Sequence, residues 1–154
     1  MNPDNLFLVG YRCTGKSSVG RSLAATLSLP FIDTDSLVVS ENGMSIREIV
    51  ISRGWEAFRR LEHTALQQVC TMDRRVVATG GGIVLDADNI KLMKKSGRII
   101  WLRASPETIK ARMLQDQASK TLLKLIERMP RKVRAVLAGA HGEVIEVIGL
   151  RIND

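Results

Sequence analysis

The stretch Gly10-Tyr11-Arg12-Cys13-Thr14-Gly15-Lys16-Ser17-Ser18 directly follows the apolar run Leu6-Phe7-Leu8-Val9. It matches the phosphate-binding pattern of glycine, four free positions, glycine, lysine and then serine or threonine. Glycines at positions 10 and 15 let the backbone turn tightly and approach a phosphate with no Cβ in the way. The stretch therefore predicts a loop for nucleotide phosphates, and the alternative is a fortuitous glycine turn.

Separate residues of this loop suit separate tasks. Lys16 is long enough to reach the terminal phosphates of a nucleotide, and the Ser17 hydroxyl can coordinate Mg²⁺. The N–H groups of the loop, together with those of a helix beginning near Gly15, form an anion site. We therefore expect ATP to contact the loop positions from 13 onward, namely Cys13, Thr14, Gly15, Lys16, Ser17 and Ser18.

Length and composition predict one globular domain over residues 1–154, with 45% hydrophobic and 25% charged residues. No apolar run approaches the roughly 20 residues that cross a bilayer, and the first residues lack the features of a signal peptide. We expect a cytoplasmic protein that does not bind membranes. Cys13 and Cys70 are far apart and outside any CxxC pair, so neither a zinc site nor a disulfide is indicated.

The net charge of +7 requires an explanation. Nucleic acid is not expected as a partner, because aromatic residues make up only 4% of the chain and no basic run is interleaved with them. Anionic small molecules such as nucleoside triphosphates explain the excess. A solvated basic face explains it equally well.

Strands alternate with helices along the chain, which predicts an α/β fold with a parallel sheet and helices on both faces. The expected strands are residues 6–9, 31–32, 76–79, 99–102 and 144–148. The expected helices are residues 17–27, 46–52, 55–70, 87–95 and 106–114. The pattern Ser45-x-x-Glu48 indicates a capping box, and Gly54 separates two of the helices.

Asp33-Thr34-Asp35 follows the second expected strand. Carboxylates two residues apart on a strand point to the same side, and ligands of open α/β sheets bind at the carboxyl ends of strands. One aspartate can hold the water shell of a metal while the other accepts a proton from a substrate hydroxyl. The alternative is that the pair only caps the next helix.

Two further features lie on neighbouring elements. Arg59 stands beside the apolar stripe of its helix, three residues before Glu62, which is close enough to orient the guanidinium. Arg59 contacts a ligand, or it is a surface arginine with a buried stem. The run Gly80-Gly81-Gly82 follows a strand and favours close approach of a ligand to backbone N–H groups, with a plain turn as the alternative.

With these four motifs placed in this order, the chain resembles the shikimate kinases over roughly residues 5–115. The resemblance implies the nucleoside-monophosphate-kinase-like fold, with a three-layer parallel five-stranded sheet of order 2-3-1-4-5 and a lid near residues 112–128. It implies shikimate and ATP or ADP as partners, Mg²⁺ as cofactor, and a monomer.

The resemblance also implies roles for individual residues. Lys16 would contact the transferred phosphate, and Ser17 and Asp33 would hold Mg²⁺. Asp35 would bind the shikimate hydroxyls as the catalytic base, and Arg59 would grip the shikimate carboxylate. The glycines Gly80, Gly81 and Gly82 would line the substrate site, with Gly81 donating its backbone N–H.

Three departures from the family pattern stand out. Cys13 replaces a glycine inside the phosphate loop. Lys120 stands where the family has a lid arginine that contacts ATP, and a lysine lacks the planar fork of that arginine. Arg128, a carboxylate contact in the family, keeps its Arg-x-Pro motif but is followed by Arg131 and Lys132 in place of leucine and tyrosine.

The sequence supports three hypotheses. The first is an ATP-dependent shikimate kinase. The second is a nucleotide-binding relative with impaired or no kinase activity, because of the divergent and shortened lid. The third is another small-molecule kinase of the same fold, such as a gluconate kinase, which the Asp33-Thr34-Asp35 and Phe58-Arg59 motifs oppose.

Overall fold

The structure, a computed structural model, describes residues 5–115 and the backbone of residues 145–148. Five strands form one sheet of order β2-β3-β1-β4-β5. The strands are β1 (Asn5–Val9), β2 (Phe31–Asp33), β3 (Val76–Ala78), β4 (Gly97–Leu102) and β5 (Ile145–Ile148). The predicted strand order is confirmed.

The helices connect these strands. They are α1 (Lys16–Leu27), α2 (Thr34–Asn42), α3 (Ile46–Cys70), α4 (Ala87–Ser96) and α5 (Pro106–Gln115), with a 3-10 turn at Ile83–Leu85. Helix α3 contains a kink at Gly54, where φ is +82°, so the two helices expected there are joined end to end. The capping box of Ser45 and Glu48 is present at its start.

Alternate residues of β1 face opposite layers of the fold. Phe7 and Val9 pack with Leu66 and Val69 of α3 and Met93 of α4 on one face of the sheet. On the other face, Leu8 packs with Ala24 of α1 and Val76 of β3. Helices therefore cover both faces, as expected for a three-layer α/β fold.

The prediction that all five strands are parallel is wrong for the last one. Strands β1 to β4 pair in parallel, but β5 runs antiparallel to β4, with Leu102 opposite Ile145. An edge strand has one neighbour to satisfy, and antiparallel edge strands on parallel sheets are common. The parallel core of the sheet, which carries the motifs, is unaffected.

No helix is predicted for residues 34–42, because Asp33-Thr34-Asp35 directly follows an apolar run typical of a strand. In the structure, β2 ends at Asp33 and α2 begins at Thr34 without an intervening loop. Asp33 is the N-cap, and its side chain accepts hydrogen bonds from the N–H groups of Asp35 and Ser36. The capping interpretation is therefore confirmed for Asp33.

The register of the parallel strands sets the position of the motifs. Ala78, the last residue of β3, lies between Leu8 of β1 and Asp33 of β2. The phosphate loop, the aspartates and the triple glycine thus leave the sheet at the same carboxyl edge. Among the described residues, no helix is both long and apolar enough to cross a membrane.

Candidate active site

The phosphate loop is a tight turn between β1 and α1. Gly10 has φ +150°, and a Cβ there would overlap the carbonyl oxygen of Leu102 at the end of β4. Gly15 has φ +94° and is the N-cap of α1. The Thr14 hydroxyl donates a hydrogen bond of 2.8 Å to the Tyr11 carbonyl and closes the turn. Both glycines are therefore required by the backbone, as the motif predicts.

Cys13 adopts φ +60°, a left-handed conformation that favours glycine. Glycine adopts this conformation freely, which accounts for the glycine of the family pattern, and here the cysteine carries the strain. The carbonyl of Cys13 accepts a hydrogen bond of 3.1 Å from the guanidinium of Arg112 on α5. No local sequence pattern indicates that contact, because the two residues are 99 positions apart.

Lys16 lies inside the loop. Its ammonium donates hydrogen bonds of 2.8 Å to the carbonyls of Gly10 and of Tyr11. Burial lowers the pKa of Lys16, while the charges of Asp35 and Asp33 raise it. The two aspartates therefore support the positive charge of a lysine that is largely removed from water.

Asp33 serves two purposes with its two oxygens. Oδ1 caps α2, as described above, and Oδ2 accepts a hydrogen bond of 2.7 Å from the Ser17 hydroxyl. Ser17 is the second residue of α1, and Ser18, which follows it, is exposed. The structure thus joins the two oxygens that were predicted to hold a metal.

Asp35 lies in the first turn of α2, so the two-residue alternation of a strand is not what places it next to Asp33. Burial raises the pKa of Asp35, as does the charge of Asp33, and the cations Lys16, Arg12 and Arg59 lower it. Its buried Oδ1 accepts no hydrogen bond within the described residues. Asp35 is therefore the carboxylate that faces both the phosphate loop and Arg59.

Arg59 is fixed from several sides. Its guanidinium bonds to Glu62 at 2.5 Å, and its Cζ lies 5.6 Å from the ring centroid of Trp55 and 5.4 Å from that of Phe58. The Arg59 side chain is 37% exposed, whereas that of Glu62 is 1% exposed. The predicted orientation by Glu62 is confirmed, and the guanidinium is held rather than freely solvated.

Glu62 is a buried carboxylate with one unused oxygen. Burial raises its pKa, the hydrogen bond and charge of Arg59 lower it, and the charge of Asp35 raises it further. Oε1 accepts no hydrogen bond within the described residues. A Cβ built on Gly80 would overlap this oxygen and would lie 2.7 Å from Asp35 Oδ1, so both unused oxygens face Gly80.

The triple glycine is needed first by the protein's own side chains. Besides the contacts of Gly80, a Cβ on Gly82 would overlap the guanidinium of Arg59. The Gly80 N–H donates a hydrogen bond of 3.1 Å to the Thr34 hydroxyl and is not available to a ligand, contrary to the expectation for that residue. Gly81 makes only ordinary contacts, and its N–H donates no hydrogen bond within residues 5–115.

The geometry brings together nearly all of the predicted site residues. Lys16, Ser17, Asp33, Asp35, Arg59 and the three glycines lie around the carboxyl edge of β1, β2 and β3. Lys120 and Arg128 lie outside the described residues. Sequence reasoning missed Thr34, which binds Gly80, and Arg112, which binds the loop, because each acts across a large separation along the chain.

A glycine-rich loop between a strand and a helix, with a lysine inside it and an aspartate beside its serine, defines a P-loop nucleotide-binding protein. A family model described as "Shikimate kinase" matches residues 12–147, well beyond the stretch over which the motifs indicated a resemblance. The chain belongs to the shikimate kinase family.

Individual relatives agree with this assignment. The chain is 47% identical to the shikimate kinase of Syntrophus aciditrophicus over 75% of its own length and 60% of that protein. It is 46% identical to shikimate kinase 2 of Photorhabdus laumondii over 74% of its length and 65% of that protein. The chain therefore spans less than two thirds of the length of these curated relatives.

Among solved structures, the chain is similar to the shikimate kinase of Acinetobacter baumannii in complex with shikimate. The identity is 30%, and the TM-score is 0.70 over 82% of this chain and 75% of that one. The fold is thus shared with a shikimate-binding member of the family.

Proposed function

We propose that this chain is an ATP:shikimate 3-phosphotransferase. The observation that carries the proposal is the position of Asp35, which interacts electrostatically with Lys16 on the phosphate side and with Arg59 on the other side. A phosphoryl acceptor whose carboxylate is bound by Arg59 would place a hydroxyl near Asp35 and within reach of a phosphate held at Lys16. The family relationship and the shikimate-bound relative support the same substrate.

The reaction is an in-line transfer. The shikimate 3-hydroxyl oxygen forms a new bond to the γ-phosphorus, and the bond from that phosphorus to the β–γ bridging oxygen breaks, with its electrons leaving on ADP. Asp35 accepts the hydroxyl proton, a role that suits a carboxylate whose pKa is raised by burial. Lys16 stabilises the charge that develops on the transferred group.

The two substrates bind to different halves of the cleft. ATP binds the backbone and side chains of Cys13, Thr14, Gly15, Lys16, Ser17 and Ser18, with Lys120 as a further contact. Shikimate binds Asp35, Arg59 and the loop Gly80, Gly81 and Gly82, in which Gly81 and not Gly80 offers its N–H, with Arg128 as a second carboxylate contact. Arg59 is suited to this because a guanidinium can hold a carboxylate through two parallel hydrogen bonds.

Ser17 and Asp33 are the residues that would hold Mg²⁺ together with ATP. Their oxygens already lie 2.7 Å apart, and both are hard ligands of the kind that Mg²⁺ prefers. Within the described residues, no cluster of three or more His, Cys, Asp or Glu side chains could hold a metal alone. Such a sparse donor set fits Mg²⁺, which keeps waters and phosphate oxygens as its other ligands and neutralises phosphate charge.

An assay of ADP release with and without shikimate tests this function. We expect ATP turnover to depend on shikimate and to saturate with it. The product should be the monophosphate ester at the 3-hydroxyl, identified by phosphorus NMR. Turnover that is indifferent to shikimate would contradict the proposal.

A second candidate is a nucleotide-binding relative with little kinase activity. The divergent lid sequence, with a lysine at position 120 in place of the family's arginine, favours it. In that case the chain would bind ADP in a calorimetric titration while phosphorylating shikimate barely above background. Absence of any nucleotide affinity would eliminate this candidate.

We further propose a monomeric, cytoplasmic protein with no nucleic-acid partner. The family resemblance implies the monomer, and the aromatic content of 4% argues against a nucleic-acid partner. Light scattering coupled to gel filtration tests this, and a dimer at micromolar concentration would contradict it.

A further inference from the structure

Arg12 is a cation of the cleft to which none of the roles above is assigned. It lies in the phosphate loop and is exposed. Its backbone N and its Cγ both lie 3.5 Å from the position of a Cβ built on Gly81. The phosphate loop therefore contacts the segment Gly80–Gly82 at Arg12, and the first atoms of the Arg12 side chain lie beside Gly81.

The charge of Arg12 acts on both halves of the cleft. Burial is the main cause of the lowered pKa of Lys16, and Arg12 lowers it further. Burial is also the main cause of the raised pKa of Asp35, and there the charge of Arg12 acts in the opposite direction. Arg12 thus lies within electrostatic range of the phosphate-binding lysine and of the candidate base.

Arg12 differs from Lys16 and Arg59 in having no partner among residues 5–115. Lys16 donates to two loop carbonyls, and Arg59 is paired with Glu62. Within the part of the chain that the structure describes, Arg12 makes no hydrogen bond, salt bridge or ring contact. All of its guanidinium N–H groups are available for an anion in the cleft.

We infer that Arg12 binds the phosphoryl group on the acceptor side of the cleft, and therefore recognises the phosphate ester product more strongly than shikimate. The inference rests on the proposed function. During transfer the phosphorus moves from Lys16 toward the substrate hydroxyl at Asp35. Arg12 lies within electrostatic range of both residues. A planar guanidinium holds two phosphate oxygens at once, which the lysine at position 120 does not do.

Three variants test this inference. Arg12→Met removes the positive charge, and Arg12→Lys keeps the charge but loses the planar guanidinium that can donate two parallel hydrogen bonds. Arg98→Met is the matched control. Arg98 is also an exposed arginine, but it lies near the amino end of β4, paired with Leu6, away from the carboxyl edge. For each variant, calorimetry measures the affinity for ADP, for shikimate and for the 3-phosphate ester of shikimate. Steady-state assays measure kcat and the KM for shikimate.

For Arg12→Met we expect the affinity for the phosphate ester and kcat both to fall about 10- to 100-fold, as for loss of a charge-assisted bidentate contact. The affinities for shikimate and ADP, and the KM for shikimate, should change less than about threefold, because neither substrate is bound mainly by this residue. Arg12→Lys should fall between the wild type and Arg12→Met. Arg98→Met should match the wild type.

Two outcomes would overturn the inference in an active enzyme. One is an Arg12→Met variant with wild-type kcat and ester affinity. The other is an equal loss of affinity for shikimate and for its ester, which would assign Arg12 to general substrate binding. A wild-type chain that binds ADP but neither binds nor phosphorylates shikimate would instead overturn the proposed function, and this inference with it.

Discussion

The two halves that we propose for the cleft, one for the nucleotide and one for the phosphoryl acceptor, are built in different ways. The nucleotide half is made of one continuous loop, and its charged lysine is held by backbone carbonyls of that same loop. The acceptor half is made of side chains from separate elements: Asp35 from α2, Arg59 and Glu62 from α3, and the glycines after β3. The first half depends on local backbone shape, whereas the second depends on tertiary packing of buried charges.

This difference predicts that chemistry and substrate binding respond separately to mutation. Lys16→Met removes the ammonium that bonds to the loop carbonyls and that we propose contacts the transferred phosphoryl group. We expect kcat to fall at least about 100-fold, the loss typical for one group that stabilises transition-state charge. The shikimate affinity should be retained. Lys91→Met is the control, because Lys91 is an exposed lysine paired with Asp88 on α4. A Lys16→Met variant with the kcat of the wild type would contradict the role of Lys16 in the transfer step and the separation of the two halves.

The three glycines at positions 80 to 82 allow a finer test of the acceptor half, because a Cβ at each position would contact different atoms. A Cβ at position 80 overlaps a buried carboxylate, one at 82 overlaps a half-buried guanidinium, and one at 81 fits. We expect Gly80→Ala to lower the free energy of unfolding by about 2 kcal/mol, a typical cost of overpacking. Gly82→Ala should chiefly raise the KM for shikimate, because the new Cβ would push the partly exposed guanidinium of Arg59 out of the position in which its partners hold it.

Gly81→Ala is the internal control of that series and should remain close to wild type in both measurements. Urea unfolding and steady-state kinetics of the three variants check the ranking. A Gly81→Ala variant as damaged as Gly80→Ala would contradict the packing explanation, because it would mean that ligand approach, and not protein side chains, requires the glycines.

Glu62 offers a test by pH. Burial holds its pKa above the ordinary 4.5. The stability that protonated Glu62 contributes to the folded state is therefore fully present below pH 4.5, the ordinary pKa. This stability is lost as the pH rises through the raised folded-state pKa. A glutamine at this position does not titrate.

We expect the free energy of unfolding of the wild type, relative to Glu62→Gln, to fall as the pH rises from the ordinary glutamate pKa of 4.5 through the raised folded-state pKa. The fall should be about 1.4 kcal/mol for each unit by which the pKa is raised. Glu56→Gln, at an exposed glutamate paired with Arg60, is the control for removing an ion-paired glutamate charge from the same helix. A flat difference for Glu62→Gln would show that the acceptor half is not built on a strained buried charge.

The smallest effect concerns the nucleotide half. Cys13 occupies a left-handed conformation that glycine adopts freely. Cys13→Gly should relieve about 1 kcal/mol of strain, offset in part by the greater backbone freedom of glycine in the unfolded chain. We expect a net gain in unfolding free energy of less than about 1 kcal/mol, measured by urea unfolding. A clear loss of unfolding free energy would mean that packing of the Cys13 thiol stabilises the loop by more than the backbone strain destabilises it.

The same contrast explains how much of the site the sequence could predict. The phosphate loop, its glycines and its lysine are encoded within nine consecutive residues, so a motif is sufficient. The pairing of Arg59 with Glu62 also follows from helical spacing. The position of Asp35 in α2, the bond from Gly80 to Thr34 and the antiparallel β5 depend on contacts between distant parts of the chain, which no local pattern encodes.

The most direct test of the two-half description is calorimetric titration of ADP and of shikimate into the wild type, Lys16→Met and Arg59→Met. Loss of the guanidinium should weaken shikimate binding about 10- to 100-fold and leave ADP binding within about threefold. Lys16→Met should leave shikimate binding unchanged. If Arg59→Met weakens both ligands equally, or if Lys16→Met abolishes shikimate binding, the two halves are not separate and the account is wrong.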